Sequence, residues 1–281
     1  MILVADAGNT HIKLGIYDHE RLVTTARLMT KTPKLPDEFE QEIADVLRDN
    51  GINVGDIEAI TMATVASEAA TKAFLEGVGR LFSVEPLVVT GDTKTGIEIK
   101  TDIPGELGID RLVNAAAAFH EYGGGVGGGP LLVIDFGTAT TYDVVTQKGE
   151  FLGGVIAPGM RICAEALWEK TARLPVVAIE KPERVMGTNT VDSMKSGIFY
   201  GYLGQLEYFI RLLKEEWEME KEAETKTKTG AKTGAKTDFK VIATGGLAGI
   251  FRGHTSAIDI FDADLTLKGL NYISKMHLLL R

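Results

Sequence analysis

Two stretches of the chain carry the same hydrophobic and polar pattern. Residues 2–18 read ILVADAGNTHIKLGIYD: an apolar run closes on Asp6, Gly8-Asn9-Thr10 interrupts it, and apolar positions resume up to Tyr17. Residues 131–146 read LLVIDFGTATTYDVVT, where the run closes on Asp135, Gly137 and Thr138 interrupt it, and a second run follows. Apolar runs broken by Gly, Asn and Asp predict strand, turn and strand. An Asp at the end of a buried strand can approach a metal-bound phosphate. A neighbouring Gly lets backbone N–H groups come close to phosphate oxygens. Two such turns about 130 residues apart predict two homologous lobes facing a nucleotide between them.

The remaining pattern extends this picture. Strands are expected at 21–28, 57–65 and 86–91, and helices at 36–50, 67–82 and 108–122, the last from its alanine run. GGGVGGG at 123–129 marks a flexible loop and the lobe junction. The expected division is therefore 1–122 for the first lobe and 130–281 for the second. In the second lobe, strands fit 131–136, 140–146, 151–156 and 239–244. Helices fit 166–174, 189–220 and 267–280. Ile198, Tyr202, Leu206, Phe209 and Leu213 recur at helical spacing. Residues 220–238, rich in Lys, Thr and small residues, offer no apolar face and read as a flexible, solvated insertion.

Composition narrows the function classes. A net charge of −9 opposes a general nucleic-acid surface. No apolar stretch reaches the ~18–20 residues of a membrane span, and the first residues lack the marks of a secretory signal. One cysteine, Cys163, excludes an intrachain disulfide and fits a cytoplasmic protein. The five histidines form no ligand spacing.

The chemistry-bearing residues admit two readings each. Asp6 and Asp135 either close turns on backbone N–H groups or serve cation and phosphate chemistry; their pairing favours the second. Thr10, Thr138, Thr140 and Thr141 can donate to phosphate oxygens or simply favour strands. Lys13 either reaches a phosphate or is solvated. Asp110 and Arg111 in PGELGIDRLVNAAAAF either open a helix or place a base beside an anion anchor. ATGGLAG at 243–249 is a strand and glycine turn against which an adenine–ribose unit could lie.

Taken together, DAGNTHIKLG (6–15), PGELGIDR (104–111), IDFGTATTYD (134–143), GGVIAPG (153–159), ALWEKTARLP (166–175), NTVDSMKSG (189–197) and ATGG (243–246) resemble the type III pantothenate kinases, in family order along nearly the whole chain. The resemblance implies an α/β fold of two RNase H-like lobes, as in actin-like ATPases, with an interlobe nucleotide cleft. It implies ATP-dependent phosphorylation of pantothenate to 4'-phosphopantothenate, the first step of coenzyme A biosynthesis. It further implies a homodimer, Mg²⁺, and K⁺ or NH₄⁺. By motif, Asp6, Gly8, Asn9, Thr10, Lys13 and Thr138 would contact ATP. Gly108, Ile109, Asp110, Arg111 and Thr190 would contact pantothenate, with Asp110 as general base. Asp135 would bind the monovalent cation, and Asp6 would hold Mg²⁺ directly or through water. The family often has Tyr where this chain has Thr101. The rival expectations are a non-catalytic regulatory or partner-binding member of the fold, and a kinase for another small hydroxy or carboxylate substrate.

Overall fold

The computed structural model describes residues 1–30, 34–123, 128–229 and 239–279. The chain divides into two compact units, Met1–Glu121 with Asp264–Arg281, and Tyr122–Ala263. Most of the 123–129 glycine run and residues 230–238 lie outside the described residues.

In the first unit, β1 (Ile2–Ala7), β2 (His11–Asp18) and β3 (Arg21–Met29) form an antiparallel meander. On the other side of β1 lie β4 (Ala59–Thr64) and β5 (Leu87–Val88), both parallel, giving the order β3-β2-β1-β4-β5. A short strand, β6 (Glu98–Ile99), follows. Strand alternation splits β1 between two cores. Leu3, Ala5 and Ala7 face α1 (Pro36–Asp49) and α2 (Glu68–Leu81) through Phe39, Ile43, Leu47, Phe74 and Val78. Ile2 and Val4 face α3 (Ile109–Ala118) and α6 (Leu265–Leu278) through Val113, Ala116, Leu267, Leu270 and Ile273. Each buried Val, Leu, Ile or Phe among these contributes roughly 1.5–3 kcal/mol over an exposed one. Asp6 continues the even-numbered face, so the pleat itself places it on the side of α3 and α6.

The second unit repeats the plan. β7 (Leu131–Phe136), β8 (Ala139–Val145) and β9 (Glu150–Pro158) form the meander. β10 (Lys240–Thr244) and β11 (Ile260–Phe261) add in parallel on the far side of β7. Leu132, Ile134 and Phe136 pack against α4 (Met160–Glu169) and α5 (Thr190–Thr229) through Met160, Ala164, Ile198, Tyr202 and Leu206. Asp135 therefore lies on the opposite face, as Asp6 does in its own unit. This repeated sheet order, with an antiparallel meander followed by parallel strands, is the RNase H-like lobe of actin-like ATPases.

Several boundaries differ from the sequence expectation. The final helix belongs with the first unit, not with 130–281, because Leu267, Leu270 and Ile273 fill the face of β1 that α3 covers only in part. Helix α4 begins at Met160 and stops at Glu169, instead of spanning 166–174. Its start is set by the end of β9 at Pro158 and by Gly159 at the N-cap, a signal the apolar pattern alone does not mark. Helix α5 continues to Thr229, through the first half of the supposed insertion. Its Glu, Lys and Ala residues there have low helix cost, which outweighs the missing apolar face. The rest of that insertion falls outside the described residues. Helix α3 ends at Ala118, short of the expected 122, and passes into a π-helical turn over Phe119–Gly123.

Candidate active site

The β1–β2 turn is held shut from within. Gly8 N donates to the His11 carbonyl at 2.9 Å, and Thr30 Oγ1 donates to the Gly8 carbonyl at 3.0 Å. Asn9 and Thr10 are left exposed at its tip. Lys13 pairs in register with Asp6, so the two side chains leave the sheet on the same face. The Lys13 ammonium lies 2.9 Å from Asp264 Oδ1, at the start of α6.

Asp110 reaches the same cluster from α3. Gly108 is the N-cap of that helix, Ile109 and Asp110 open it, and Arg111 N donates to Asp110 Oδ1 at 2.9 Å. A Cβ on Gly108 would come 2.7 Å from Asp110 Oδ1, so only glycine lets the carboxylate fold back here. Asp6 is pushed up from its ordinary 3.8 to about 6, first by burial and then by the negative charge of Asp110, with Lys13 opposing both. A buried carboxylate with a second carboxylate near it and one ammonium beside it forms a site that welcomes a cation. Among the described residues, no group of three or more His, Cys, Asp or Glu side chains forms a metal cage. An ion held by one or two carboxylates and completed by phosphate oxygens and water is the form this donor set suits.

In the second unit, the β7–β8 turn carries Asp135, Gly137 and Thr138, the last two exposed. Gly159 N donates to the Thr138 carbonyl at 3.1 Å, tying the turn to the start of α4. The turn after β10 meets Asp135 directly. Gly245 has φ +93°, and a Cβ there would fall 2.4 Å from Asp135 Oδ1 and 2.6 Å from Phe136 N. The sequence singled out 243–249 for an adenine–ribose unit; the observed contact is with the Asp135 carboxylate. Asp135 thus keeps one carboxylate oxygen close to this backbone turn.

Thr190 is elsewhere in the second unit, exposed at the start of α5. Asp192 N donates to Asn189 Oδ1 at 2.9 Å, so Asn189 caps this helix. Thr190 lines a cavity of about 820 Å³ with Cys163, Met194, Gly201, Tyr202 and Gln205. Cys163 Sγ lies 3.3 Å from the Tyr202 hydroxyl, which also donates to the Pro158 carbonyl, and Tyr202 is raised above its ordinary range chiefly by burial. Thr101, in the first unit, is half-buried, and its hydroxyl has no hydrogen-bond partner among the described residues. The structure thus gathers Asp6, Lys13 and Asp110 in the first unit, and Asp135 with Thr138 in the second. Sequence reading missed Asp264, because 251 positions separate it from Lys13 and no local pattern links them.

The motif order across these elements is matched by known sequences. The profile of the type III pantothenate kinases matches residues 2–212. The chain belongs to the type III pantothenate kinase family. A type III pantothenate kinase of Agathobacter rectalis is 41% identical over 273 residues, covering 97% of this chain and 96% of that protein. One of Halalkalibacterium halodurans is 41% identical over 275 residues, covering 98% and 99%. A solved Campylobacter jejuni structure, described as a Baf family transcriptional activator, matches with TM-score 0.54 and 18% identity over 99% of each chain. At that identity the likeness is one of fold alone. All the site residues of the kinase-family motifs except those in ATGG fall within the matched span.

Proposed function

We propose that Asp110 accepts the proton of the pantothenate hydroxyl while the β1–β2 turn and Lys13 hold the ATP phosphates. The reaction is that of the family: ATP-dependent phosphorylation of pantothenate to 4'-phosphopantothenate, the first step of coenzyme A biosynthesis. The pantothenate primary hydroxyl attacks the γ-phosphorus, its proton passes to a carboxylate oxygen of Asp110, and ADP leaves. The transition state is loose, so orientation and charge neutralisation supply most of the acceleration. The observation that carries this reading is the gathering of Asp6, Lys13 and Asp110 in the first unit, with Lys13 opposite Asp6 in register and Asp110 in the first turn of α3.

In this reading Gly8, Asn9 and Thr10 offer backbone N–H and hydroxyl donors to the phosphates, and Thr138 adds a second hydroxyl. Gly108 and Ile109 shape the acceptor site, and Arg111 pairs with the pantothenate carboxylate through its planar fork. Thr190 hydrogen-bonds the same substrate. Asp6 would hold Mg²⁺, directly or through water, and the ion would neutralise phosphate charge. Asp135 would hold K⁺ or NH₄⁺.

A homodimer belongs to the proposal. Ile162, Leu167 and Val191 are exposed on or beside α4 and α5. Gly197, Gly201 and Gly204 have open space where a Cβ would stand. Among the described residues no helix is long and apolar enough to cross a membrane. Together with the single cysteine, a cytoplasmic setting is the one proposed. Intact Asp6, Asp110 and Asp135 favour the enzyme over a non-catalytic member of the fold.

The test is a coupled ADP-release assay with pantothenate and ATP in Mg²⁺ and K⁺ or NH₄⁺ buffer. Pantothenate-dependent turnover is expected. Its absence from folded protein, across nucleotides and both cations, would overturn the reading.

A further inference from the structure

Helix α6 begins with an anomaly. Asp264 occupies its N-cap, a position where Asp ordinarily accepts from the backbone N–H groups of the first turn. The Asp264 side chain makes no such bond. Its Oδ1 lies 2.9 Å from the Lys13 ammonium instead, on β2, in the phosphate turn. The helix that carries it is firmly anchored. Leu265 and Leu267 are fully buried, and Thr266 Oγ1 donates to Asn114 Oδ1 of α3 at 2.7 Å.

We propose that Asp264 is a positioning residue for ATP, holding the Lys13 ammonium beside the β1–β2 turn before the nucleotide arrives. Position 264 lies beyond the span matched by the family profile, which ends at 212. The inference rests on the reading of Lys13 as a phosphate contact. A lysine side chain has many rotamers, and one already restrained loses less freedom on meeting a phosphate. An ammonium has three donors, so Asp264 and a phosphate oxygen can be held together. The pair is partly exposed, so its value to stability alone is small. Its consequence is for nucleotide binding.

The experiment compares Asp264→Ser, Lys13→Ala and the double variant in the full chain, by steady-state kinetics and thermal unfolding. Serine is a good helix cap but cannot hold an ammonium as a carboxylate does. Asp264→Ser is expected to keep or raise the melting temperature while raising KM for ATP by ~3–10-fold, with kcat and KM for pantothenate changed less than about twofold. Asp264→Asn, which also keeps a capping group and loses the charge, is expected to follow it. Lys13→Ala should raise KM for ATP at least as much, and adding Asp264→Ser to it should have no further effect. Multiplicative effects in the double variant, or an unchanged KM for ATP in Asp264→Ser, overturn the inference and leave the Lys13 reading intact. An unchanged KM in Lys13→Ala overturns both.

Discussion

Gly245 and Asp135 are in such close approach that no side chain can stand between them. A Cβ on Gly245 would come 2.4 Å from Asp135 Oδ1. The backbone there also has φ +93°, a conformation L residues rarely adopt. Gly245→Ala is therefore expected to cost about 2–4 kcal/mol, combining strain with overpacking. Gly246 has open space in the same sense. Gly246→Ala should stay within about 0.5 kcal/mol of the parent. Chemical denaturation of both variants checks the contrast, and equal losses would remove the special role of the Asp135 contact.

Removing basicity at Asp110 tests the chemistry. Asp110→Asn is expected to lower kcat by ~10²–10⁴-fold, the usual range for loss of a general base. KM for pantothenate should move much less. Near-parent turnover would reassign Asp110 to opening α3.

The raised Asp6 makes stability depend on pH with a definite sign. Its ordinary value is 3.8 and its folded value about 6. The folded chain therefore binds this proton more tightly than the unfolded one. The stabilisation is fully present below pH 3.8 and is lost as pH rises through about 6. The loss is on the order of 1–3 kcal/mol. Asp6→Asn should thus melt higher than the parent at pH 8 and no higher at pH 4, while losing activity. Mg²⁺ with ATP should stabilise the parent more at pH 8 than at pH 5. A melting difference independent of pH would show that burial does not govern Asp6.

For Asp135, the expected signature is ionic. Turnover should be low in Na⁺ and restored by K⁺ at matched ionic strength. Asp135→Ala should remove that difference. Equal rates in both salts for the parent would count against a specific cation site.

The proposed dimer face can be probed at Gly201, where a Cβ would meet nothing within 4 Å. Gly201→Trp should leave the fold of a single chain intact and reduce the mass by light scattering from dimer to monomer. A parent that is itself monomeric, or an unchanged dimer in the variant, would exclude this face.

Much of the fold was legible because its signals are local. The two Asp-terminated runs set β1 and β7, the alternation after each set β2 and β8, and the helix expected at 67–82 is α2, whose cap Ser67 accepts from Ala70 N. The candidate residues that share a turn stood out for the same reason, since each such group lies within a dozen positions. Asp264 was not, nor was the return of α6 to the first unit. Both depend on which sheet face remains uncovered, and that is settled by packing, not by spacing. The start of α4 was missed because a strand end and a glycine cap fix it, while its strongest apolar signal comes later in the segment.

The return of α6 also orders the life of the chain. Residues 122–263 form a unit from one continuous stretch, whereas the first unit needs residues 264–281 to be complete. On the ribosome, the segment made first is therefore expected to wait with the Val4 side of its sheet covered only in part, by α3, until α6 emerges. Ribosome-bound chains halted before residue 264 should bind a hydrophobic dye or a chaperone through their N-terminal part, and release it once the helix is free. The lobe whose synthesis starts first is thus expected to be the one completed last.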